Sequence, residues 1–331
     1  MTAASRPGTR WPARPPVTCI GETMAALVPE PAAPLDGAGL LGVRIAGAES
    51  NVAMYLADHA VPARWVSALG DDPFGRRIRT EVAASGVDIS GVRTDPHRPT
   101  GLLVKDPGTD GTRVHYYRRG SAASALTPEL LDDDAVRTAG LIHLSGITPA
   151  LSDGCRDLVT ALLEPPADER PCPVSFDVNH RPALWTDGTA AAVLFDLARR
   201  ADIVFVGLDE AQTLWGDGLV DAAAVRELLP RPRILVVKDG GRAATAFDGA
   251  EVHTVAAPGV EVVEPVGAGD AFAAGFLAGL LRGEDTVRAL RLGHITAGAA
   301  LRVTGDHGPL PDRARIAGLL DAAPQEWARG R

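Results

Sequence analysis

Lysine is nearly missing from this chain. Of its 33 basic residues only Lys105 and Lys238 are lysines, leaving 31 arginines (33 − 2). The bias accompanies a high alanine, glycine and proline content and carries no message about thermostability. Cysteine is almost as scarce: Cys19, Cys155 and Cys172 are too few and too scattered for a disulfide framework or a metal knuckle, and they suit a reducing compartment. Long apolar runs are lacking too. The one at residues 271–281 falls far short of the roughly 20 residues that span a bilayer. Residues 1–16 place Arg6, Arg10 and Arg14 among prolines without an apolar core, which excludes a secretory signal and predicts a disordered tail. Positive charge is in deficit, at a formal net charge of −9, and this argues against a nucleic-acid partner. Taken together, these absences predict a cytoplasmic protein with no membrane partner. Two nucleotide-binding signatures are also absent. No Gly-Lys pair exists to form a Walker A loop, and Gly21-Glu22-Thr23, after the first expected strand, lacks the dinucleotide fingerprint.

What is present describes an ordinary globular protein: 331 residues, 46% apolar and 23% charged, ample for a buried core. Strand-like and helical runs alternate over most of the length, which predicts an α/β fold with a mainly parallel sheet. Strands are expected at 17–24, 64–69, 140–144, 174–177, 203–206 and 234–237. Helices are expected at 51–59, 74–84, 152–163, 190–200, 270–281, 286–301 and 312–320, with Gly86 ending the second. A hairpin is expected around Asp248-Gly249, pairing 243–247 with 252–255. Two segments break the rhythm. Residues 40–45, and 101–105 paired with 112–118 across Pro107-Gly108-Thr109-Asp110-Gly111, read as strands with hairpin chemistry, candidates for a small β-lid.

The densest chemistry lies in Gly267-Ala268-Gly269-Asp270, a glycine-rich turn opening an apolar run that reads as helix. Gly267 and Gly269 permit backbone angles and close approaches that a side chain blocks. The first amides of a helix have no partner within it, and the macrodipole adds positive potential. Together they suit a phosphoryl group gathering negative charge in its transition state. Asp270 at the rim is positioned to take a proton from an attacking hydroxyl. An ordinary tight turn with an acidic residue in the first helical turn would look the same over four residues.

The longer segment Val263-Glu264-Pro265-Val266-Gly267-Ala268-Gly269-Asp270-Ala271-Phe272-Ala273-Ala274-Gly275-Phe276 resembles the C-terminal signature of the ribokinase-like (PfkB) sugar kinases. The resemblance covers residues 17–309. It implies a ribokinase-like three-layer α/β fold: a mainly parallel central sheet flanked by helices, with a small β-sheet lid. One domain over 17–325 is expected, its lid built from about 38–46 and 100–119. The resemblance makes Asp270 the catalytic base and Gly267, Ala268 and Gly269 the anion hole, with ATP and Mg²⁺ as cofactors. Assembly as a homo-oligomer through the lid follows as a further expectation.

Other segments extend the likeness. Gly47-Ala48-Glu49-Ser50-Asn51 reads by itself as a helix start capped by Ser50 or Asn51. It is similar to the family's N-terminal Gly-Gly-x-x-x-Asn signature, with Ala46 in place of the first glycine, and implies sugar contacts from Gly47, Ala48 and Asn51. Tyr116 and Arg118, two apart in a strand, share a face. With Arg181 in Phe176-Asp177-Val178-Asn179-His180-Arg181 they resemble the branch acting on 2-keto-3-deoxygluconate. A guanidinium matches a carboxylate in bidentate fashion, and buried arginines need such a partner. Asn179 and Arg181 are implied on the nucleotide side as well. Asp177 and His143 read as structural, the former orienting backbone and the latter a satisfied core histidine. Gly207-Leu208-Asp209-Glu210 falls where the family has Asn-x-x-Glu, so Glu210 is implied to organise water around Mg²⁺ and Gly207 departs. Lys238, Gly240 and Gly241 resemble the nucleotide loop. His294 stands where relatives carry an Asn near the base, and Asp306 lies in a Gly-Asp-His similar to that of the sugar-acid branch. The expected reaction is phosphorylation of a sugar acid at its terminal hydroxyl. A fructose or ribose kinase is the alternative within the family, and a non-catalytic sugar-acid-binding protein the alternative outside it.

Overall fold

The structure, a computed structural model, describes residues 16–108 and 111–329. The expected disordered tail and the tip of the lid hairpin at 109–110 therefore fall outside the described residues, apart from residue 16. The strands are β1 (Val17–Ile20), β2 (Met24–Pro29), β3 (Leu41–Ala46), β4 (Ala63–Gly70), β5 (Val92–Asp95), β6 (Leu102–Gly108), β7 (Gly111–Tyr117), β8 (Leu141–Ser145), β9 (Val174–Asp177), β10 (Ile203–Gly207), β11 (Ile234–Asp239), β12 (Ala243–Asp248) and β13 (Glu251–Ala256). The helices are α1 (Ala48–Asp58), α2 (Pro73–Ala84), α3 (Asp134–Arg137), α4 (Asp153–Leu163), α5 (Ala190–Ala198), α6 (Leu208–Trp215), α7 (Ala222–Leu228), α8 (Ala268–Arg282), α9 (Thr286–Ala300), α10 (Arg313–Asp321) and α11 (Pro324–Ala328).

Nine strands form the central sheet in the order β13-β12-β11-β10-β9-β8-β1-β4-β5. From β5 to β11 every pairing is parallel, and β12 and β13 extend the edge antiparallel. Helices cover both faces, so the central strands are apolar at successive positions instead of alternating. Ile203, Phe205, Ile234 and Val236 enter one core with α1, α8 and α9, while Val204, Val206, Leu235 and Val237 enter the other with α4 and α5. This is the expected α/β arrangement with a mainly parallel sheet between helical layers.

The lid is a second sheet of order β3-β2-β6-β7. Its β6–β7 hairpin is the pairing expected, and its register sets Leu103 opposite Tyr116 and Lys105 opposite Val114. One expected strand is corrected. Residues 17–24 do not form a single strand: β1 ends at Ile20 and β2 starts at Met24 in the other sheet. The break falls at Gly21, where a Cβ would run into the buried Glu49 carboxylate. The chain thus passes from sheet to lid through Gly21-Glu22-Thr23, and that passage places the lid over the carboxyl ends of the central strands.

Candidate active site

A cavity of about 560 Å³ opens between the lid and the carboxyl edge of the central sheet, within the usual size for a small-molecule site. The lid contributes Leu103, Lys105, Val114 and Tyr116. Period-2 alternation and the hairpin register put these four on one face. From the sheet edge come Asp177, Asn179, Arg181, Glu210 and Lys238, and from the far side Gly267, Gly269, Asp270 and Asp306. Open α/β sheets bind ligands in just this crevice beyond their strand ends.

Helix α8 starts at Ala268, with Gly267 as its N-cap at φ +86°. Asp270 lies in the first turn and is only 7% exposed. Its carboxylate accepts from Asn51 Nδ2 at 2.9 Å and Asn179 Nδ2 at 3.1 Å. Burial pushes its pKa up to about 7, opposed by the Asn51 hydrogen bond and reinforced by the charge on Asp177. A carboxyl with such a pKa can exchange a proton near neutral pH. Asn179 takes up φ +39° to present its amide there, a conformation in which Asn is enriched.

On the other side, Lys238 Nζ meets both oxygens of Asp177, at 2.9 and 3.2 Å. Burial disfavours the ammonium, yet Asp177 and Glu210 outweigh it and raise its pKa. Glu210 accepts from the amides of His180 and Gly207, the latter at 3.0 Å. Its own pKa is raised, by burial first and then by Asp177. Asp306 is held by Lys105 at 3.4 Å, and burial raises its pKa against that attraction.

The structure thus gathers Asp270, Gly267, Gly269, Tyr116, Arg181, Asn179, Lys238, Glu210 and Asp306 around one cavity, with Ala268 in the same helix start and Asn51 bonded to Asp270. Others lie elsewhere. Arg118 falls just past the end of β7 and turns inward, where Glu22 takes its Nε at 2.5 Å, so it shares no cavity-facing side with Tyr116. Its guanidinium instead sits 5.7 Å from the Tyr116 ring. Gly47 caps α1, and Ser50 and Asn51 lie inside the first turn. The close approach Gly47 permits is to Glu22 and Thr23, since a Cβ would stand 2.6 Å from the Glu22 carbonyl oxygen, and neither Gly47 nor Ala48 lines the cavity. Gly240 and Gly241 occupy an exposed turn after β11. His294 is buried in α9, donates through Nε2 to the Val255 carbonyl at 3.1 Å and lines a separate cleft beside Trp327. Burial lowers its pKa to about 4.

Asp177 corrects the sequence reading in the other direction: its side chain pairs with Lys238 in the cavity instead of orienting backbone. His143 is the satisfied core histidine expected, bonded to Ser175 Oγ at 3.1 Å. Lys105 was not expected, although a lysine two residues from Leu103 on the cavity face of β6 was the available signal.

A Gly-Ala-Gly-Asp turn at a helix start, facing a lid across a cavity lined by both lysines, defines a phosphotransferase site on a three-layer α/β frame. Residues 15–313 match the pfkB family carbohydrate kinase profile, and the chain belongs to that family. It is 35% identical over 307 residues to a protein of Bacillus subtilis (strain 168) named 2-dehydro-3-deoxygluconokinase, covering 92% of this chain and 94% of the relative. A Haloferax volcanii protein named 2-dehydro-3-deoxygalactonokinase is 34% identical over 87% of this chain and 91% of its own. Among solved structures, a PfkB protein from Polaromonas sp. JS666 superposes with a TM-score of 0.80 at 32% identity, covering 93% of this chain and all (100%) of that one.

Proposed function

We propose that this protein is an ATP-dependent kinase phosphorylating 2-keto-3-deoxygluconate, or its galactonate epimer, at the 6-hydroxyl. The buried Asp270 at the start of α8, facing Arg181 across the cavity, carries the reading. In it, O6 attacks the γ-phosphorus of ATP, the O6 proton passes to Asp270, and the bond to the β-γ bridging oxygen breaks to release ADP. The amides that begin α8, together with Gly267 and Gly269, face the oxygens on which charge develops. Asn51 and Asn179 hold the Asp270 carboxylate in place.

Arg181 is the guanidinium that lines the cavity, and it suits the carboxylate that distinguishes a sugar acid from fructose or ribose. Arg118, paired with Glu22, supports Tyr116 from behind. Among the described residues no group of three or more His, Cys, Asp or Glu side chains could hold a metal ion directly, so Glu210, on the Lys238 side of the cavity, is assigned only to the water around a phosphate-bound Mg²⁺. When bound there, the ion neutralises charge on the phosphates. A single domain over 17–325 carries these parts. Lid-mediated pairing of two copies belongs to the same proposal, supported by Tyr117 at 65% and Leu40 at 63% exposure on the lid and its flank. A cytoplasmic location is supported by three buried free cysteines, and among the described residues no helix is long and apolar enough to cross a membrane.

The test is ADP release with Mg-ATP across 2-keto-3-deoxygluconate, its galactonate epimer, fructose, ribose and no sugar. Turnover confined to the keto-deoxy acids supports the proposal, and strong turnover with fructose or ribose removes the role given to Arg181. Arg181→Ala is expected to lower kcat/KM for the sugar acid by about 10–100-fold, the scale of a lost charge-assisted hydrogen bond. Arg181→Lys, lacking the planar fork, should recover little of it.

A further inference from the structure

Lys105 joins the lid to the body of the protein at the catalytic turn. It sits on β6 with its side chain 3% exposed, and its Nζ lies 3.4 Å from Asp306 Oδ1 and 3.5 Å from Glu264 Oε2. Neither carboxylate belongs to the lid. Glu264 is three residues before Gly267, and one of its oxygens accepts from the Val266 amide within that turn at 3.3 Å. Asp306 packs its backbone against Gly267, where a Cβ would stand 2.9 Å from the Asp306 carbonyl oxygen. One lid cation therefore reaches both segments that brace the helix start.

We propose that Lys105 is a positioning residue that couples closure of the lid to assembly of the phosphoryl-binding turn. Moving the lid away strips this ammonium from two largely buried carboxylates, 12% and 6% exposed in their side chains, and leaves them only neutral donors such as the Val266 amide and Asn51. Unpaired buried charge is costly, so the closed arrangement is favoured and the turn is held in register with it. The second consequence is electrostatic. Asp270 and Asp306 line this end of the cavity, with Glu264 reached by the same ammonium, and without Lys105 their combined charge would repel an incoming anionic phosphoryl group. Lys105 cancels one of these charges only while the lid is down. Transfer is thereby confined to the closed state, in which water is excluded. The catalytic consequence rests on the kinase reading above, whereas the structural coupling does not.

The test compares full-length parent, Lys105→Met and Lys105→Arg. Hydrogen exchange is followed in the ligand-free proteins, and kcat, KM for ATP and sugar-independent ATP hydrolysis are measured wherever the parent turns over. In Lys105→Met the amides of β6 and β7 should exchange at least ~10-fold faster, with β1 and β8 unchanged, as expected for loss of a buried pair confined to the lid. Its kcat should fall by about 10–100-fold with KM for ATP within about threefold, while hydrolysis without sugar rises relative to transfer. Lys105→Arg should restore most of both. Unchanged lid exchange in Lys105→Met overturns the proposal, as does a parallel loss of global stability that arginine fails to repair. A parent with no turnover on any sugar would sink the kinase reading alone, since the exchange arm still decides the coupling.

Discussion

Replacing Asp270 by Asn lowers kcat by about 10²–10⁴-fold, the usual contribution of a positioned general base, with little change in KM for ATP. The amide keeps the shape of the carboxylate, so the loss reports proton transfer more than packing. In the parent, kcat/KM should climb with pH as Asp270 deprotonates and level off above its pKa of about 7. Initial rates from pH 5.5 to 9 check both statements. A profile flat through neutrality in the parent, or an Asn variant within tenfold of it, would remove Asp270 from the role of base.

The same titration acts on stability with the opposite sign. An ordinary Asp in the unfolded chain titrates near 3.9, whereas Asp270 in the fold titrates at about 7. Between these values the native state holds more protons than the unfolded one, so this carboxyl's contribution is complete below about pH 4 and is lost as pH rises through 7. At about 1.4 kcal/mol per pKa unit the charged form costs about 4 kcal/mol at pH 8. Asn removes that charge but offers one acceptor to the two amide donors from Asn51 and Asn179, which returns about 1–3 kcal/mol. The Asn variant should therefore melt a few degrees above the parent at pH 8 and lose that advantage by pH 5, as calorimetry at the two pH values would show. The variant that destroys activity is the one expected to be more stable.

Most of the scaffold was legible because the chain repeats two simple signals. Apolar runs such as 203–206 and 234–237 can only be buried on both faces, and the intervening amphipathic runs provide the cover. Even the lid hairpin could be read, because Pro107-Gly108 and Gly111 interrupt two alternating strands. Reading failed where partners are distant in sequence. Nothing local distinguishes Gly21 as the point where one strand becomes two, since the reason is Glu49 from α1. Arg118 looks like a cavity residue by its spacing from Tyr116, and only the fold brings Glu22 to it, 96 positions earlier. Asp177 and Lys238 are 61 apart and meet because β9 and β11 flank β10. Adjacent residues sufficed to place Asp270 beside its glycine turn, because helix start, glycines and carboxylate are consecutive there.

Gly267→Ala should be nearly as damaging to turnover as loss of the base, for a reason found in the backbone. Gly267 sits at φ +86°, a conformation that costs an L side chain about 1–2 kcal/mol. A Cβ there would also lie 2.9 Å from the Asp306 carbonyl oxygen and 3.0 Å from its Cα, and these backbone atoms cannot rotate out of the way as a side chain tip could. Either the helix start or the Asp306 segment must therefore shift. The helix-start amides proposed to receive the phosphoryl charge are the first to be misplaced, and misplacement on this scale costs about 10²–10³-fold in kcat. Gly305→Ala, on the same C-terminal segment but with open space around its Cβ position, should leave kcat unchanged. Steady-state rates for the two variants, beside their melting temperatures, separate a catalytic turn from a structural one. If Gly267→Ala loses stability yet keeps kcat within threefold, the helix start is not the group that receives the phosphoryl charge.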